Sequence, residues 1–553
     1  MRSKFAIVTA LALAGCATTP RPAPPAAVVP VAVQILAIND FHGNLEPPKQ
    51  AIPAPASGPD AVRVPAGGAA YLASALKARR GSHPYSVTVS AGDMIGAAPL
   101  VSSLFLDEPT IAAMNEAGVE YNAVGNHEFD KGVAELLRMQ NGGCEKHASR
   151  KPCAVEPFPG ARFRFLAANV LTGDGKTLFP GTAIRDFGPV QVGFIGMTLK
   201  ETGTLVTPAG VAGLTFADEA STANAAARAM RLAGVDALVV LIHQGARTSG
   251  GYNDKSCPNL DGDIMPILKR LDPAIDAVIS GHTHNAYICE LPRGGARPLL
   301  LTSAGRYGTL FTEIALAVSP TGGVVSHRAD NIIVQGEAYS GPFGAVPLQG
   351  QFPVWAKDPA TAAIVDRYAA AAAPVAARIV GKLSGPITRE PTPAREHSGG
   401  VRADLVPAAD GSITFGQLFA MQPFGNNLNI KTLTGAQLKA VLEQQFDSGT
   451  NTAADPNMLL PSRGFAFAYD LSRPAGQRIV AMTLAGKPID PDARYRVTVV
   501  NFLSTGGDNF TVLTQGTDLT DPNIVDVDAS EAYLKSGGDV PKLGRIEDRT
   551  PKL

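Results

Sequence analysis

The stretch YNAVGNHEFD, residues 121–130, joins a short apolar segment to a run of polar side chains. Four other stretches share this arrangement, in which an apolar strand is followed at once by polar residues. They are ILAINDFH (35–42), VTVSAGD (87–93), LVVLIHQG (238–245) and VISGHTH (278–284). In sheets with parallel strands, ligands bind beyond the carboxyl ends of the strands. We therefore expect these five segments to meet at one end of a sheet, as in an α/β or α+β fold.

The polar side chains in these segments are ones that divalent metal ions bind. Carboxylate and carboxamide oxygens combined with imidazole nitrogens suit Zn, Mn, Fe, Co or Ni better than Ca. Two ions about 3.5–4 Å apart need a shared ligand, and a carboxylate can bridge them. Asp93 is the natural bridge. The other expected ligands are Asp40, His42 and His284 for one ion and Asn126, His243 and His282 for the other.

Each segment taken alone also has an ordinary structural explanation. Asp-x-His and Gly-Asp occur by chance in polar loops and turns. Asn126 can cap a helix with its side-chain oxygen, and His243 can be a buried histidine with satisfied hydrogen bonds. The combination favours a joint metal site, because five of the nine histidines lie in these segments, whose order alternates with apolar strands.

The order Asp-x-His, Gly-Asp, Gly-Asn-His-Glu, His and Gly-His-x-His resembles the calcineurin-like metallophosphoesterase superfamily. Within it, NDFHGN (39–44), GNHEFD (125–130) and GHTH (281–284) resemble the 5'-nucleotidase family, which includes UDP-sugar hydrolases and 2',3'-cyclic phosphodiesterases. The resemblance covers nearly the whole mature chain. It implies a four-layer αββα sandwich followed by a smaller α+β substrate-binding domain.

The resemblance also implies catalytic roles for two residues that are not metal ligands. His127 is expected to face the substrate phosphate and to neutralise charge that grows on the phosphoryl oxygens. Asp130 is expected to orient His127. The alternative for Asp130 is a charge that complements the dipole at the start of a helix.

The second half of the chain resembles the family's substrate-binding segments. PFGN (423–426) and NFLSTGGD (501–508) resemble the segments that hold a nucleoside, and GGVR (399–402) resembles a turn whose arginine binds phosphate or carboxylate. Two phenylalanines would stack on a base and an aspartate would accept hydrogen bonds from ribose. Plain core packing is the alternative for each phenylalanine. The expected substrate-binding residues are Arg402, Phe424, Asn426, Phe502 and Asp508.

The family's pattern is interrupted before the Gly-Gly-x-Arg turn. Members usually have a Glu-Thr/Ser-x-Leu-Gly-Asn-Leu helix and a strand there, whereas TREPTPA (388–394) here runs almost directly into REHSGG (395–400). His397 stands near the place of the family's asparagine. We expect this gap to weaken nucleotide binding, to open the second domain or to destabilise it, and to leave the metal centre intact.

The N-terminus has the features of an export signal. Arg2 and Lys4 precede an apolar run, Phe5 to Ala14, that is too short to cross a bilayer. The run ends in LAGC (13–16), which resembles a bacterial lipobox with Cys16 as the lipidated residue. An ordinary signal peptide with a chance cysteine is the alternative. The sequence thus predicts an exported lipoprotein of the outer membrane, attached to the membrane by its lipid.

Length and composition limit the remaining possibilities. The chain has 553 residues and a formal net charge of −1, which argues against a nucleic acid polymer as partner. The four later cysteines allow three pairings, and proximity along the chain favours Cys144–Cys153 and Cys257–Cys289. The expected division is a signal peptide (1–16), a tether (17–30), a metallophosphoesterase domain (31–334), a linker and helix (335–380) and a C-terminal substrate-binding domain (381–553).

These observations favour a hydrolase of phosphate esters with two divalent ions, Zn, Mn or similar, that releases phosphate from nucleoside monophosphates. Three alternatives from the same superfamily are a 2',3'-cyclic phosphodiesterase, a UDP-sugar hydrolase and a relative of the thiosulfohydrolases. An alternative of another class is a surface lipoprotein that binds nucleotide or metal with little turnover, because of the gap in its second domain.

Overall fold

The computed structural model describes residues 29–55, 62–148, 150–294, 296–341, 344–388, 401–522 and 524–551. The expected signal peptide with Cys16, nearly all of the tether, and residues 389–400 of the interrupted segment lie outside this range. Among the described helices, none has both the length and the hydrophobicity that crossing a membrane requires.

Two six-stranded sheets form the centre of the N-terminal half. Sheet I contains, in spatial order, Gly323–Ile333, Leu310–Ser319, Val31–Ile38, Ser86–Ser90, Tyr121–Ala123 and Arg164–Leu166. Sheet II contains Ala286–Arg293, Ala296–Ala304, Ala277–Ser280, Ala237–His243, Val190–Thr198 and Thr182–Phe187. Four consecutive strands in each sheet are parallel, so their carboxyl ends lie at the same edge.

The apolar side chains divide this half into four layers. Along strand Val31–Ile38, alternate residues point to opposite faces: Val33 and Ile35 enter a core between the two sheets, and Leu36 and Ile38 enter a core beneath helices. The helices over sheet I are Ala69–Gly81, Leu100–Ser103, Glu108–Ala117, Val133–Asn141 and Pro359–Ala376. Those over sheet II are Glu219–Leu232 and Ile264–Leu268. The expected αββα sandwich is confirmed.

Local sequence explains where several of these helices begin and end. Asp218 accepts a hydrogen bond from the backbone of Ser221 at the start of Glu219–Leu232. Gly118 ends Glu108–Ala117 in the left-handed conformation, with φ of 80°, which favours glycine. Helix Glu108–Ala117 begins just before Pro109, because proline fits the first helical turn.

Helix Pro359–Ala376 lies in sequence between the two halves but packs on the first. Val365, Tyr368 and Ala372 are buried in the core outside sheet I, and the Tyr368 ring meets that of Phe105 with centroids 5.0 Å apart. Pro374 does not break this helix. Pro374 lies in the last turn and is followed by only two helical residues, so its missing N–H disturbs little of the helix.

The C-terminal half contains smaller sheets and short helices. One sheet has the order Arg494–Val500, Leu428–Thr434 and Thr517–Thr520, and another has Lys487–Pro488, Ile479–Leu484, Phe465–Tyr469 and Ile546–Asp548. Ile379–Lys382 pairs with Ser412–Thr414. The helices are Phe415–Met421, Gly435–Glu443, Asn501–Ser504 and Asp526–Lys535. Capping boxes begin the first two, with Thr414 and Gln417 in one and Thr434 and Gln437 in the other.

Short elements complete the described chain. The remaining strand pairs are Gln50–Ala54 with Val62–Ala66, Val170–Leu171 with Thr215–Phe216, Tyr339–Gly341 with Gly344–Val346, and Asp447–Ser448 with Asn451–Thr452. Thr202–Leu205 is a single α-helical turn. The 3₁₀ turns are His127–Phe129, Pro208–Val211, Gly507–Asn509 and Thr511–Gln515.

Both expected disulfides are confirmed. Cys144 is bonded to Cys153 and Cys257 to Cys289. The first disulfide closes a loop that follows helix Val133–Asn141. The second joins a loop to the edge strand Ala286–Arg293 of sheet II.

Candidate metal centre and substrate cavity

The strand register brings the five polar segments to one edge. In sheet I, Ile38 pairs with Ser90 in parallel, so the loops that follow them run side by side. The backbone N–H of Asp40 donates to Gly92 O at 3.0 Å, and that of His42 donates to Asp93 O at 3.0 Å. Sheet II closes against this edge, because the His243 ring nitrogen Nδ1 lies 2.8 Å from Ala91 O.

Asp40, His42 and His284 form one group of possible metal ligands, with their donor atoms all within 4.8 Å of one another. His42 Nε2 and His284 Nε2 are 3.2 Å apart, and His284 Nε2 is 3.3 Å from Asp40 Oδ1. Two imidazole nitrogens and one carboxylate thus point toward a common space, as a single cation requires.

Asp93, His243 and His282 form the second group, which also lies within 4.8 Å. Asp93 belongs to both neighbourhoods: its Oδ2 is 3.0 Å from His243 Nε2 in this group and 3.5 Å from His42 Nε2 in the first. This is the position that a bridging carboxylate needs.

At the second group, two buried polar atoms lack hydrogen-bond partners among the described residues. Asn126 Oδ1 has none, and its side chain caps no helix, so the capping alternative is wrong. His243 Nε2 has none either, because its contact with Asp93 does not have hydrogen-bond geometry. A buried acceptor is costly unless something binds it. The residues therefore fit a pair of borderline divalent ions, although their roles as ligands stay a prediction.

The backbone at this edge is strained. Asp40, His42, Asp93, His282 and His284 all have positive φ, between 47° and 71°. Such conformations cost about 1 kcal/mol or more for each residue that is not glycine, and they cluster at functional sites. Gly125 lies where a side chain has no room, because a Cβ there would lie 2.2 Å from Asp93 Oδ1.

Burial and neighbouring charges prepare these side chains to bind cations. Burial and the charge of Arg402 lower the pKa of His42 to about 3, and burial with the charge of His243 lowers the pKa of His282 to about 3. Both imidazoles are therefore neutral near pH 7. Burial opposes protonation of His243 as well, but the Asp93 carboxylate outweighs it and raises that pKa to about 10. A cation bound there would replace this proton.

Two residues that were not among the expected site residues hold the expected ligands in place. Both Glu128 oxygens accept backbone N–H groups: Oε2 from Asp93 at 2.9 Å and Oε1 from Met94 at 2.8 Å. Asn39 donates to Asp40 Oδ2 at 2.7 Å and accepts from the backbone of Ala304 at 2.7 Å. Their positions inside the GNHE and NDFH segments could have indicated this role, because metal ligands are usually oriented by hydrogen bonds from neighbouring residues.

His127 and Asp130 form the expected pair beside the metal centre. His127 Nδ1 is 2.9 Å from Asp130 Oδ2, and both residues border the cavity described below. Burial lowers the pKa of His127, but the charges of Asp130 and Asp93 outweigh burial and raise it. Asp130 also accepts from Ala97 N at 3.1 Å, and it precedes helix Val133–Asn141 by three residues. The pairing favours orientation of His127 over a helix-dipole role.

A cavity of about 970 Å³ opens from the metal centre into the C-terminal half. Its wall includes Asn126, His127, Asp130 and His282 from the first half. From the second half it includes all five expected substrate-binding residues, Arg402, Phe424, Asn426, Phe502 and Asp508. The structure therefore brings the two sets of residues to one space.

Both phenylalanines line the cavity, and neither is fully buried. Phe424 is 36% exposed, and its ring stacks on His127 with centroids 6.4 Å apart and an angle of 22° between planes. Phe502 is half-buried, and a Cβ on Gly507 would lie 2.4 Å from its ring. A flat group of substrate can therefore reach Phe424 next to the metal centre.

Arg402 connects the C-terminal half to the metal centre electrostatically. Its charge helps to lower the pKa of His42 and His284 and opposes the raised pKa of His127, with which Arg402 lines the cavity. Its Nε and Nη2 are buried without hydrogen-bond partners among the described residues, and the group lies 5.8 Å from the centre of the Tyr307 ring. Free, buried guanidinium donors suit an anionic phosphoryl group.

Comparisons with known proteins agree with this geometry. Residues 33–286 match the family described as calcineurin-like phosphoesterase, and residues 394–515 match the 5'-nucleotidase C-terminal domain. An endonuclease, YhcR of Bacillus subtilis, is 28% identical over 86% of this chain, which spans only 37% of that protein's length. A protein from the pqq-V 5' region of Acinetobacter calcoaceticus is 50% identical over 30% of this chain and 85% of its own length.

A solved structure shows the same fold over nearly the whole chain. The 5'-nucleotidase precursor of Thermus thermophilus superposes with a TM-score of 0.72 at 24% identity, covering 94% of this chain and 99% of that one. At this identity the likeness establishes the arrangement of the two halves alone.

Proposed function

We propose that this chain, which belongs to the calcineurin-like phosphoesterases and has a 5'-nucleotidase C-terminal domain, releases phosphate from nucleoside 5'-monophosphates. The observation that supports this most is the single cavity shared by His127, Phe424 and Phe502. It offers a phosphate position and an aromatic surface for a base in one space.

The expected ligands form two sets, one for each ion, and these sets correspond to the two groups of side chains described above. Asp40, His42 and His284 would hold one, Asn126, His243 and His282 the other, with Asp93 shared. Bound divalent ions supply Lewis-acid activation of water and neutralise phosphoryl charge. Zn and Mn are both compatible with the donor set.

The chain's own residues complete the reaction. Arg402 binds the phosphoryl oxygens, and His127, held by Asp130, neutralises their growing charge. A new P–O bond forms from water while the P–O bond to the nucleoside breaks, and the proton that water loses is balanced by the one the leaving oxygen gains. Asp508 accepts from the ribose hydroxyls, Asn426 borders the nucleoside, and the two phenylalanines stack on its base.

We further propose that the protein works outside the cytoplasm. Disulfides such as Cys144–Cys153 persist in oxidising compartments, and a relative, Lmo0130 of Listeria monocytogenes, is called a cell wall protein. Signal peptide 1–16, Cys16 lipidation, an outer-membrane location and the domain division at residues 334 and 381 are parts of the same proposal.

A substrate panel tests the activity. Protein loaded with Mn or Zn is offered AMP, UDP-glucose, 2',3'-cyclic AMP and bis-p-nitrophenyl phosphate, and AMP is expected to have the highest kcat/KM. Preference for UDP-glucose or the cyclic nucleotide would replace the proposal with that related activity. Two bound ions with no turnover of any substrate would replace it with a binding protein.

A phenylalanine variant tests the base-stacking part. Phe424→Ala is expected to raise KM for AMP by about fivefold or more, since stacking contributes about 1–3 kcal/mol per base, and to change KM for p-nitrophenyl phosphate less. Ile184→Ala, on an exposed side chain of sheet II, is the control. Equal effects on both substrates would contradict base stacking at Phe424.

A further inference from the structure

We propose that the deep part of the cavity is an apolar chamber that binds the leaving group of phosphate esters with long alkyl or extended aryl chains. This inference rests on the proposed hydrolysis and extends its substrate class beyond nucleotides. The cavity measures about 970 Å³, at the upper end of the roughly 300–1,000 Å³ that encloses drug-sized ligands.

The chamber exists because the core of the C-terminal half is divided. One apolar cluster contains Leu442 and Phe467, and a separate one contains Val441 and Leu513. Helix Gly435–Glu443 contributes to both clusters, and these four side chains all line the cavity. The space between the clusters is thus walled by side chains that in a closed core would touch one another.

Two strands present apolar faces to this space. On Arg494–Val500, Val497 and Val499 are alternate residues and share one face, and on Phe465–Tyr469 the same holds for Phe465 and Phe467. All four line the cavity, and both valines are only half-buried. Leu484, at the end of the neighbouring strand, also lines it and is 43% exposed.

The chamber is continuous with the reaction centre at Asp508. Burial raises the pKa of this carboxyl, opposed by a hydrogen bond with Asn457 and by the charge of His127, and both Asp508 and His127 line the cavity. Met458 and Leu459, which follow Asn457 in the chain, line the apolar part of the cavity. A substrate whose phosphate lies at His127 therefore has its leaving group directed past Asp508 into apolar surroundings.

The guanidinium of Arg496, at the chamber wall, is engaged elsewhere. Arg496 borders the cavity but donates to Asp518 O at 2.7 Å and to Thr432 Oγ1 at 3.1 Å. A hydroxyl-rich leaving group such as a sugar would lose its hydrogen bonds to water there without regaining them. An alkyl chain gains from the same transfer, which selects the chemical class of the occupant.

A series of n-alkyl phosphates, used below their micelle concentrations, tests the chamber. Burial of each methylene is expected to raise kcat/KM about fourfold, or roughly 200-fold from butyl to octyl phosphate. Val497→Phe places a larger ring in the chamber and is expected to reduce this gain below about tenfold. Leu484→Trp, at a more exposed position, gives a second test if Val497→Phe folds poorly. Val325→Phe, at a 52% exposed strand position of sheet I, is the matched control and keeps the full gain.

Binding measurements separate this inference from the activity. Octylphosphonate, whose P–C bond is not hydrolysed, is expected to bind at least tenfold more tightly than butylphosphonate by calorimetry. If this holds while no ester is hydrolysed, the activity is wrong and the chamber stands. If AMP is hydrolysed but kcat/KM and affinity do not change with chain length, or if both chamber variants keep the gain of the control, the chamber is wrong.

Discussion

The shared position of Asp93 makes Asp93→Asn the most informative substitution. This side chain is 1% exposed, its Oδ1 accepts from His127 N at 2.9 Å, and its Oδ2 reaches His243 at 3.0 Å and His42 at 3.5 Å. Asparagine keeps the shape but removes the charge that both ions would share. The change should therefore empty both sites together.

The size of the effect follows from electrostatics. Two unit charges about 4 Å apart interact with about 4 kcal/mol at an effective dielectric constant near 20. Loss of a single such interaction lowers an equilibrium constant about a thousandfold, and Asp93 would lose one with each ion. We expect metal content to fall from two ions per chain to below one at micromolar metal, and kcat for p-nitrophenyl phosphate to fall at least about 10³-fold.

The assay combines metal analysis by mass spectrometry with initial rates at saturating substrate. Asp366→Asn, on the exposed face of helix Pro359–Ala376, is the control and should keep both ions and full activity. Two retained ions in Asp93→Asn, with kcat within tenfold of the wild type, would refute the bridging argument.

Three further outcomes are expected. Asp130→Asn should lower kcat about 10–100-fold with both ions retained, since Asp130 holds His127 at 2.9 Å; an unchanged kcat in steady-state assays would show that this contact is not needed. Burial raises the pKa of Asp526 to about 6, so stability falls as pH rises through 6 and the buried carboxyl ionises. In urea unfolding of chelated protein, Asp526→Asn should therefore gain up to about 3 kcal/mol over wild type at pH 7.5 but only about 1 kcal/mol at pH 4.5, and an equal difference at both pH values would contradict this. Chelation should lower Tm by several degrees, because metal at 100 times its Kd contributes about 2.7 kcal/mol per site, and an unchanged Tm would argue against tight sites.

The central strands and their terminal loops were predictable because their sequence pattern is local. Val31–Ile38 and Ala277–Ser280 were predictable because strands buried on both faces are rich in apolar residues, and polar residues follow directly where these two strands end. The polar residues after them then fall at one edge by topology alone.

Supporting residues and the cavity shape were not predictable, because they depend on contacts distant in sequence. Asn39 meets Ala304, 265 positions away, and no local pattern marks that pair. The space between the apolar cluster that contains Leu442 and the one that contains Val441 arises from the packing of two small sheets and one helix. The sequence of these elements does not specify that packing. Glu128 lies inside one of the five polar segments, but its role as an acceptor for Asp93 N and Met94 N depends on contacts across about 35 positions of the chain.

Anomalous diffraction from crystals grown with Mn or Zn tests the central claim most directly. The account predicts two peaks per chain, one contacted by Asp40, His42 and His284 and one by Asn126, His243 and His282, with Asp93 touching both. A single peak, or peaks away from these side chains at saturating metal, would contradict it.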